Sequence, residues 1–64
     1  MKLNGNTIIF KKEVPLILFL QQNKYDISRI AVELNGDIVP KAEYAGVLLS
    51  EKDSVEVVSF VGGG

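Results

Sequence analysis

Sixty-four residues, 47% of them apolar, with a net charge of −1 make one small domain with a single core and leave no room for a second. Seven basic and eight acidic residues are spread without a basic stripe, which argues against nucleic acid, and the longest apolar run, Leu16 to Leu20, falls far short of the ~20 residues of a membrane span. With no cysteine or histidine there is no disulfide framework, no Ser-His or Cys-His nucleophile pair and no typical zinc site, and the composition fits a reducing cytoplasm.

From the start of the chain, Met1-Lys2-Leu3 and Thr7-Ile8-Ile9-Phe10 flank Asn4-Gly5-Asn6. Asn-Gly between two β-prone runs predicts a hairpin, because a tight I′ turn needs positive φ at both central residues. Odd positions on the first strand then face even positions on the second, which puts Met1, Leu3, Ile8 and Phe10 on the core side. Lys2, Thr7 and Ile9 take the other face. Asn4, Gly5 and Asn6 interrupt the start and no small-residue cleavage site follows, so a signal peptide is not expected.

Pro15 reads as the opening of a helix, since its missing N–H costs nothing there. Leu16, Phe19 and Leu20 have the i, i+3, i+4 spacing of a buried stripe, so at least one of Ile17 and Leu18 is left outside. Tyr25 is the expected apolar anchor of the loop that follows. Ile30, Val32 and Leu34 alternate inward along a strand, and Asn35-Gly36 makes a second tight turn into the short pair Ile38-Val39. Pro40 ends that strand, which suits a sheet edge. Lys41 to Gly46 reads as a helical turn with Tyr44 packed inward, and Val47-Leu48-Leu49 as a buried connector.

The last strand begins after the polar turn Glu51-Lys52-Asp53-Ser54. A lone carboxylate is not buried without a partner, so Glu56 faces out and Val55 and Val57 face in. Val58 and Phe60 then share the open face with Glu56. The first and last strands both need neighbours and the helix needs one sheet face. An α+β domain with those two strands central and parallel satisfies both demands.

No carboxylate spacing predicts an acid/base pair, and Gly62-Gly63-Gly64 opens no helix that could cradle phosphate. The domain is therefore expected to perform no catalysis itself. The chemical group left over is the α-carboxylate of Gly64, on a glycine tail thin enough to enter a slot where a Cβ would collide. A partner using ATP could turn it into an acyl-adenylate, open to a sulfur nucleophile or an amine.

Ala31-Val32-Glu33-Leu34-Asn35-Gly36-Asp37-Ile38-Val39-Pro40, then Glu43-Tyr44-Ala45, and the ending Val55 to Gly64 together resemble the ThiS family of sulfur carriers in thiamin thiazole biosynthesis. The resemblance covers essentially the whole chain. It implies a ubiquitin-like β-grasp fold: a mixed sheet of about five strands in the order 2-1-5-3-4, one helix on one face, a domain over residues 1–61 and a flexible tail over 62–64. It further implies that a ThiF-type adenylyltransferase uses ATP to activate Gly64, that a sulfur donor system installs a thiocarboxylate, and that a ThiG-type thiazole synthase takes the sulfur. No cofactor is expected to stay bound. Gly62, Gly63 and Gly64 would enter the partner's active site, with Val58, Phe60 and Val61 as the docking face.

Three positions depart from the family pattern. Ile17 and Leu18 make the helix unusually apolar, Lys52 stands where glycine is common and is expected at positive φ, and Ser59 replaces a basic residue. Sulfur carriage to molybdopterin, or conjugation of Gly64 to lysine amines, are the alternative fates of the same carboxylate.

Overall fold

The computed structural model describes residues 1–9 and 12–60, in the chain order β1 (Lys2–Leu3), β2 (Asn6–Thr7), β3 (Val14–Pro15), α1 (Leu16–Gln22), β4 (Ile30–Leu34), β5 (Asp37–Ile38), β6 (Leu48–Leu49) and β7 (Ser54–Ser59). Short 3-10 helices cover Ile27–Arg29 and Lys41–Gly46. Phe10, expected on the core face, lies outside the described residues, as do Val61 and the three terminal glycines.

Both Asn-Gly turns form as their chemistry demands. Asn4 and Gly5 have φ of 51° and 85°, and Asn35 and Gly36 have 52° and 90°, so each pair is left-handed at both central positions. The first turn fixes the register Lys2 with Thr7 and Leu3 with Asn6, and the second Glu33 with Ile38 and Leu34 with Asp37. These two hairpins stand on either side of β7. β1 runs parallel to its first half and β4 runs antiparallel along it from Leu34 opposite Val55 to Ile30 opposite Ser59. The resulting sheet is β2-β1-β7-β4-β5. Counting only its own members in chain order, that is 2-1-5-3-4, the arrangement expected from the sequence.

Alternation along β7 buries Val55 and Val57 and exposes Glu56 and Val58. Val32 lies directly opposite Val57, and both face the helix side. There Leu16, Phe19 and Leu20 of α1 close the core with Ile30, Tyr44 and Leu49. α1 has seven residues, too few to hold itself together, so its stability comes from this stripe. Ile17 is half-buried and Leu18 exposed, as the crowding of a short helix requires.

Three local expectations are corrected. Pro15 is the residue before the helix, with φ −60° and ψ 138°, and it pairs with Leu48 in a separate two-stranded sheet of β3 and β6. Leu48 is consequently not a buried connector residue. It points outward at 57% exposure, while Leu49 beside it is sealed in. Lys52 is not among the residues of positive φ, whereas Lys24 is, at 62°. Lys24 follows α1, where its N–H donates to the Gln21 carbonyl and the Tyr25 N–H to that of Leu20. This paired 5→2 and 6→1 closure requires a left-handed residue after the C-cap, commonly glycine. Tyr25 then half-buries against the core, as anticipated for the loop anchor.

β1 is too short to accompany β7 to its end, and a side chain replaces the missing strand. The Asn4 N–H donates to the Val55 carbonyl at 2.9 Å. Its carboxamide then takes the next peptide unit: the Val57 N–H donates to Asn4 Oδ1 at 2.7 Å, and Asn4 Nδ2 donates to the Val57 carbonyl at 3.3 Å. Asn4→Gly separates this role from the turn's need for positive φ, which glycine meets better. We expect the variant to lose roughly 1–2 kcal/mol in urea denaturation, from two partly buried groups left without partners. Unchanged or increased stability would reduce Asn4 to a turn former.

Candidate functional site

β7 delivers the chain to the glycine tail, and two lateral ties hold it in place. At its start, Ser54 N–H donates to Asn35 Oδ1 at 2.9 Å and Asn35 N–H donates to the Ser54 carbonyl at 2.8 Å. Asn35 Nδ2 also donates to Asp53 Oδ1 at 3.0 Å, while the other oxygen of Asp53 accepts from Ser50 N–H at 2.9 Å. These bonds, from Asn35 first and then Ser50, hold the Asp53 carboxyl below its usual range. At the far end, Phe60 N–H donates to the Arg29 carbonyl at 2.7 Å.

Arg29 is itself fixed by the turn that begins at Asp26. Asp26 caps the short 3-10 helix by accepting from Ser28 Oγ at 2.6 Å and Ser28 N–H at 3.1 Å, which lowers the pKa of its carboxyl. Arg29 Nε lies 3.6 Å from Asp26 Oδ2, an exposed pair worth little in energy. The backbone geometry matters more: the segment presents the Arg29 carbonyl to Phe60.

The open face of the sheet carries the residues that the sequence singled out. Val58 is 52% exposed and Phe60 55%, at the end of β7 from which residues 61–64 continue. Ala31 faces Val58 across the ladder, and Ile38 adds an exposed apolar group on the edge strand. Glu33 and Glu56 stand directly opposite one another in the same register. Like charges so placed oppose each other in the free domain. Ile9, also expected on this side, is exposed. The face is thus apolar near the tail and acidic one step behind it.

Sequence reading missed the two asparagine carboxamides that clamp β7, because Asn-Gly is fully accounted for by turn geometry. Among the described residues no cluster of His, Cys, Asp or Glu could hold a metal, and no helix is long and apolar enough to cross a membrane. An open hollow of about 320 Å³ lies between Ile8, Val14, Phe19 and Asn23, and its lining includes no carboxylate.

A five-stranded mixed sheet covered by one helix, whose central strand leads to a run of glycines, defines a ubiquitin-like carrier domain. The chain belongs to the ThiS family, whose family model matches residues 2–64. It is 35% identical over 65 residues to the sulfur carrier protein ThiS of Bacillus subtilis, covering 100% of this chain and 98% of that protein. It is 37% identical over 62 residues to a thiazole synthase of Paramagnetospirillum magneticum, covering 97% of this chain but only 19% of the length of that synthase. The crystal structure of the thiamine biosynthesis protein ThiS from Geobacter metallireducens superposes with a TM-score of 0.79 at 24% identity, over 98% of this chain and 96% of that one. That likeness establishes the fold.

The two depressed carboxyls, one at each end of β7, set an acid limit on the domain. A folded pKa below the unfolded value gives stability that is present above the unfolded pKa, about 3.9 for Asp, and lost as pH falls through the folded one. Melting temperature should therefore drop on acidification below about pH 4, and Asp53→Asn should be less stable at pH 7 with a shallower acid drop. An acid drop as steep in the variant as in the parent would remove Asp53 from this role.

Proposed function

We propose that the domain carries sulfur on the carboxyl group of Gly64. A ThiF-type adenylyltransferase transfers AMP from ATP to the carboxylate, releasing pyrophosphate. A sulfur nucleophile supplied by a donor system then displaces AMP and leaves a thiocarboxylate. A ThiG-type thiazole synthase receives that sulfur. The observation that carries this reading is the family match, which runs from Lys2 through Gly64 and so includes the glycines. The similarity to a thiazole synthase favours thiazole over molybdopterin as the destination.

The domain's part is presentation. Phe60 makes the last hydrogen bond of the described chain, and four residues follow it to Gly64. Fully extended, four residues reach at most roughly 14 Å, which sets the depth of slot the tail can probe while the sheet rests on the partner's rim. Gly62, Gly63 and Gly64 would enter that slot, and Val58, Phe60 and Val61 would meet its mouth. A partner surface suited to this face is apolar opposite Val58 and Phe60 and basic opposite Glu33 and Glu56, whose mutual repulsion a cation would relieve. ATP is consumed by the partner and is not held by this chain.

Intact-mass measurement after incubation with ATP, the adenylyltransferase and a sulfur donor tests the chemistry. The expected product is heavier by the exchange of one terminal oxygen for sulfur and is absent when Gly64 is deleted. An unmodified carboxylate in the presence of a competent adenylyltransferase overturns the reading, and stable higher-mass conjugates to lysine would assign a modifier role instead. For the docking face, Phe60→Ala should weaken binding to the adenylyltransferase by roughly 1–3 kcal/mol, with little change in melting temperature. A large loss of stability would show instead that Phe60 supports the fold.

A further inference from the structure

Hydrogen-bond alternation along β7 assigns each peptide unit to one of its two sides. Ser54 and Phe60 bond toward β4, through Asn35 and Arg29, so the even-numbered residues face that strand. Val55 and Val57 bond the other way, to the backbone and then the carboxamide of Asn4. Ser59 is next on that second side. β1 has already turned back at Leu3, and the reach of Asn4 ends at Val57. Among the described residues the Ser59 N–H and carbonyl therefore open onto a free sheet edge, on an exposed residue between the exposed Val58 and Phe60.

Proteins guard such edges with charge, proline or a bulge, because an unpaired edge templates association with another strand. This chain guards the edge at Val57 with Asn4 and then stops. From Val57 onward no side chain is charged and none is proline. The unguarded unit is also the one next to the tail, so a protein that draws residues 61–64 into a slot has to lie against it.

We propose that the β7 edge at Ser59 is a strand-pairing site, where the enzyme that takes up the tail adds an extended segment of its own to the sheet. This rests on the carrier reading above. The added segment continues the line of β1 beyond Asn4, bonds to the Ser59 N–H and carbonyl, and needs no particular side chains, since main-chain groups supply the contact. Ser59 suits the position, being small and uncharged where a long side chain would crowd an incoming strand. Pairing there would fix the direction in which the glycines leave the sheet, a task their own backbone freedom prevents them from doing.

The test follows amide exchange at Ser59 and Phe60 in the free domain and in complex with the ThiF-type adenylyltransferase. In the free domain Ser59 should exchange faster than Phe60, whose N–H is bonded to Arg29. In the complex Ser59 should slow by at least roughly a hundredfold, as for an amide enclosed in a ladder. Ser59→Pro removes an N–H that makes no internal bond, and it should weaken the complex roughly tenfold while the domain stays folded. Should proline disturb the strand, an ester in place of the Val58–Ser59 peptide bond, made by ligation, deletes the same donor and should weaken binding similarly. A complex in which Ser59 keeps exchanging, or which the ester variant forms with undiminished affinity, overturns the edge site and leaves sulfur carriage intact. Slowed exchange in the isolated domain through pairing of two copies also overturns it. If the wild-type domain forms no complex and gains no sulfur, both proposals fall.

Discussion

Everything in this domain depends on holding one strand from both sides. β7 is the central strand, and its neighbours are two hairpins that reach it in opposite directions. Each hairpin turns at Asn-Gly, and each asparagine also uses its carboxamide on β7 or on the turn that leads into it. A carboxamide sets an N–H donor beside a carbonyl acceptor, so it can pair with both groups of one residue as a neighbouring strand would. Asn4 therefore lengthens β1 by one residue without lengthening the chain, and Asn35 secures the opposite side at Ser54. In a domain of this size, which buries only about 60% of its unfolded surface, such ties count for more than they would in a larger fold.

This economy accounts for what could be read from the sequence and what could not. The Asn-Gly pairs announce hairpins because their residues tolerate positive φ, and Glu56 announces the facing of β7 because an unpaired carboxylate cannot be buried. From those two signals, with the helix needing one sheet face, the central parallel pairing of the first and last strands and the exposure of Val58 and Phe60 follow. The full strand order comes from the family resemblance. Longer-range chemistry left no such trace. β3 and β6 are two residues each, too short to show any period, so Leu48 looked like part of a buried run. A left-handed residue was expected at Lys52 by family pattern, yet the closure after α1 places it at Lys24. Nothing in the run Gln21 to Tyr25 distinguishes that lysine as the residue that must be left-handed.

The same two ties divide the strand functionally. From Ser54 to Val57, β7 has partners on both sides and belongs to the fold. From Val58 to Phe60 the side toward β1 is open, and the exposed side chains are uncharged: Val58, Ser59 and Phe60. The transition happens within a single strand and without a hinge, so the orientation of its last residues is inherited from the rigid part. Phe60, bonded to the Arg29 carbonyl, is where that inheritance ends in the described chain. Asp26 and Ser28 matter for function only through this bond, by shaping the turn that presents the carbonyl.

The carrier reading proposed above assigns the reactivity to the partner. A carboxylate is a poor electrophile until an oxygen becomes a leaving group, and the root of the tail is surrounded by valine, serine and phenylalanine. Arg29 and Asp26 form an exposed pair at 3.6 Å, and Glu33 and Glu56 carry the same charge as a terminal carboxylate. The acidic pair disfavours an anionic surface on the open face. On the carrier reading proposed above, selectivity would reside on the sheet and reactivity in the partner. The glycines need only pass between them, which is the one task for which the absence of side chains is an advantage.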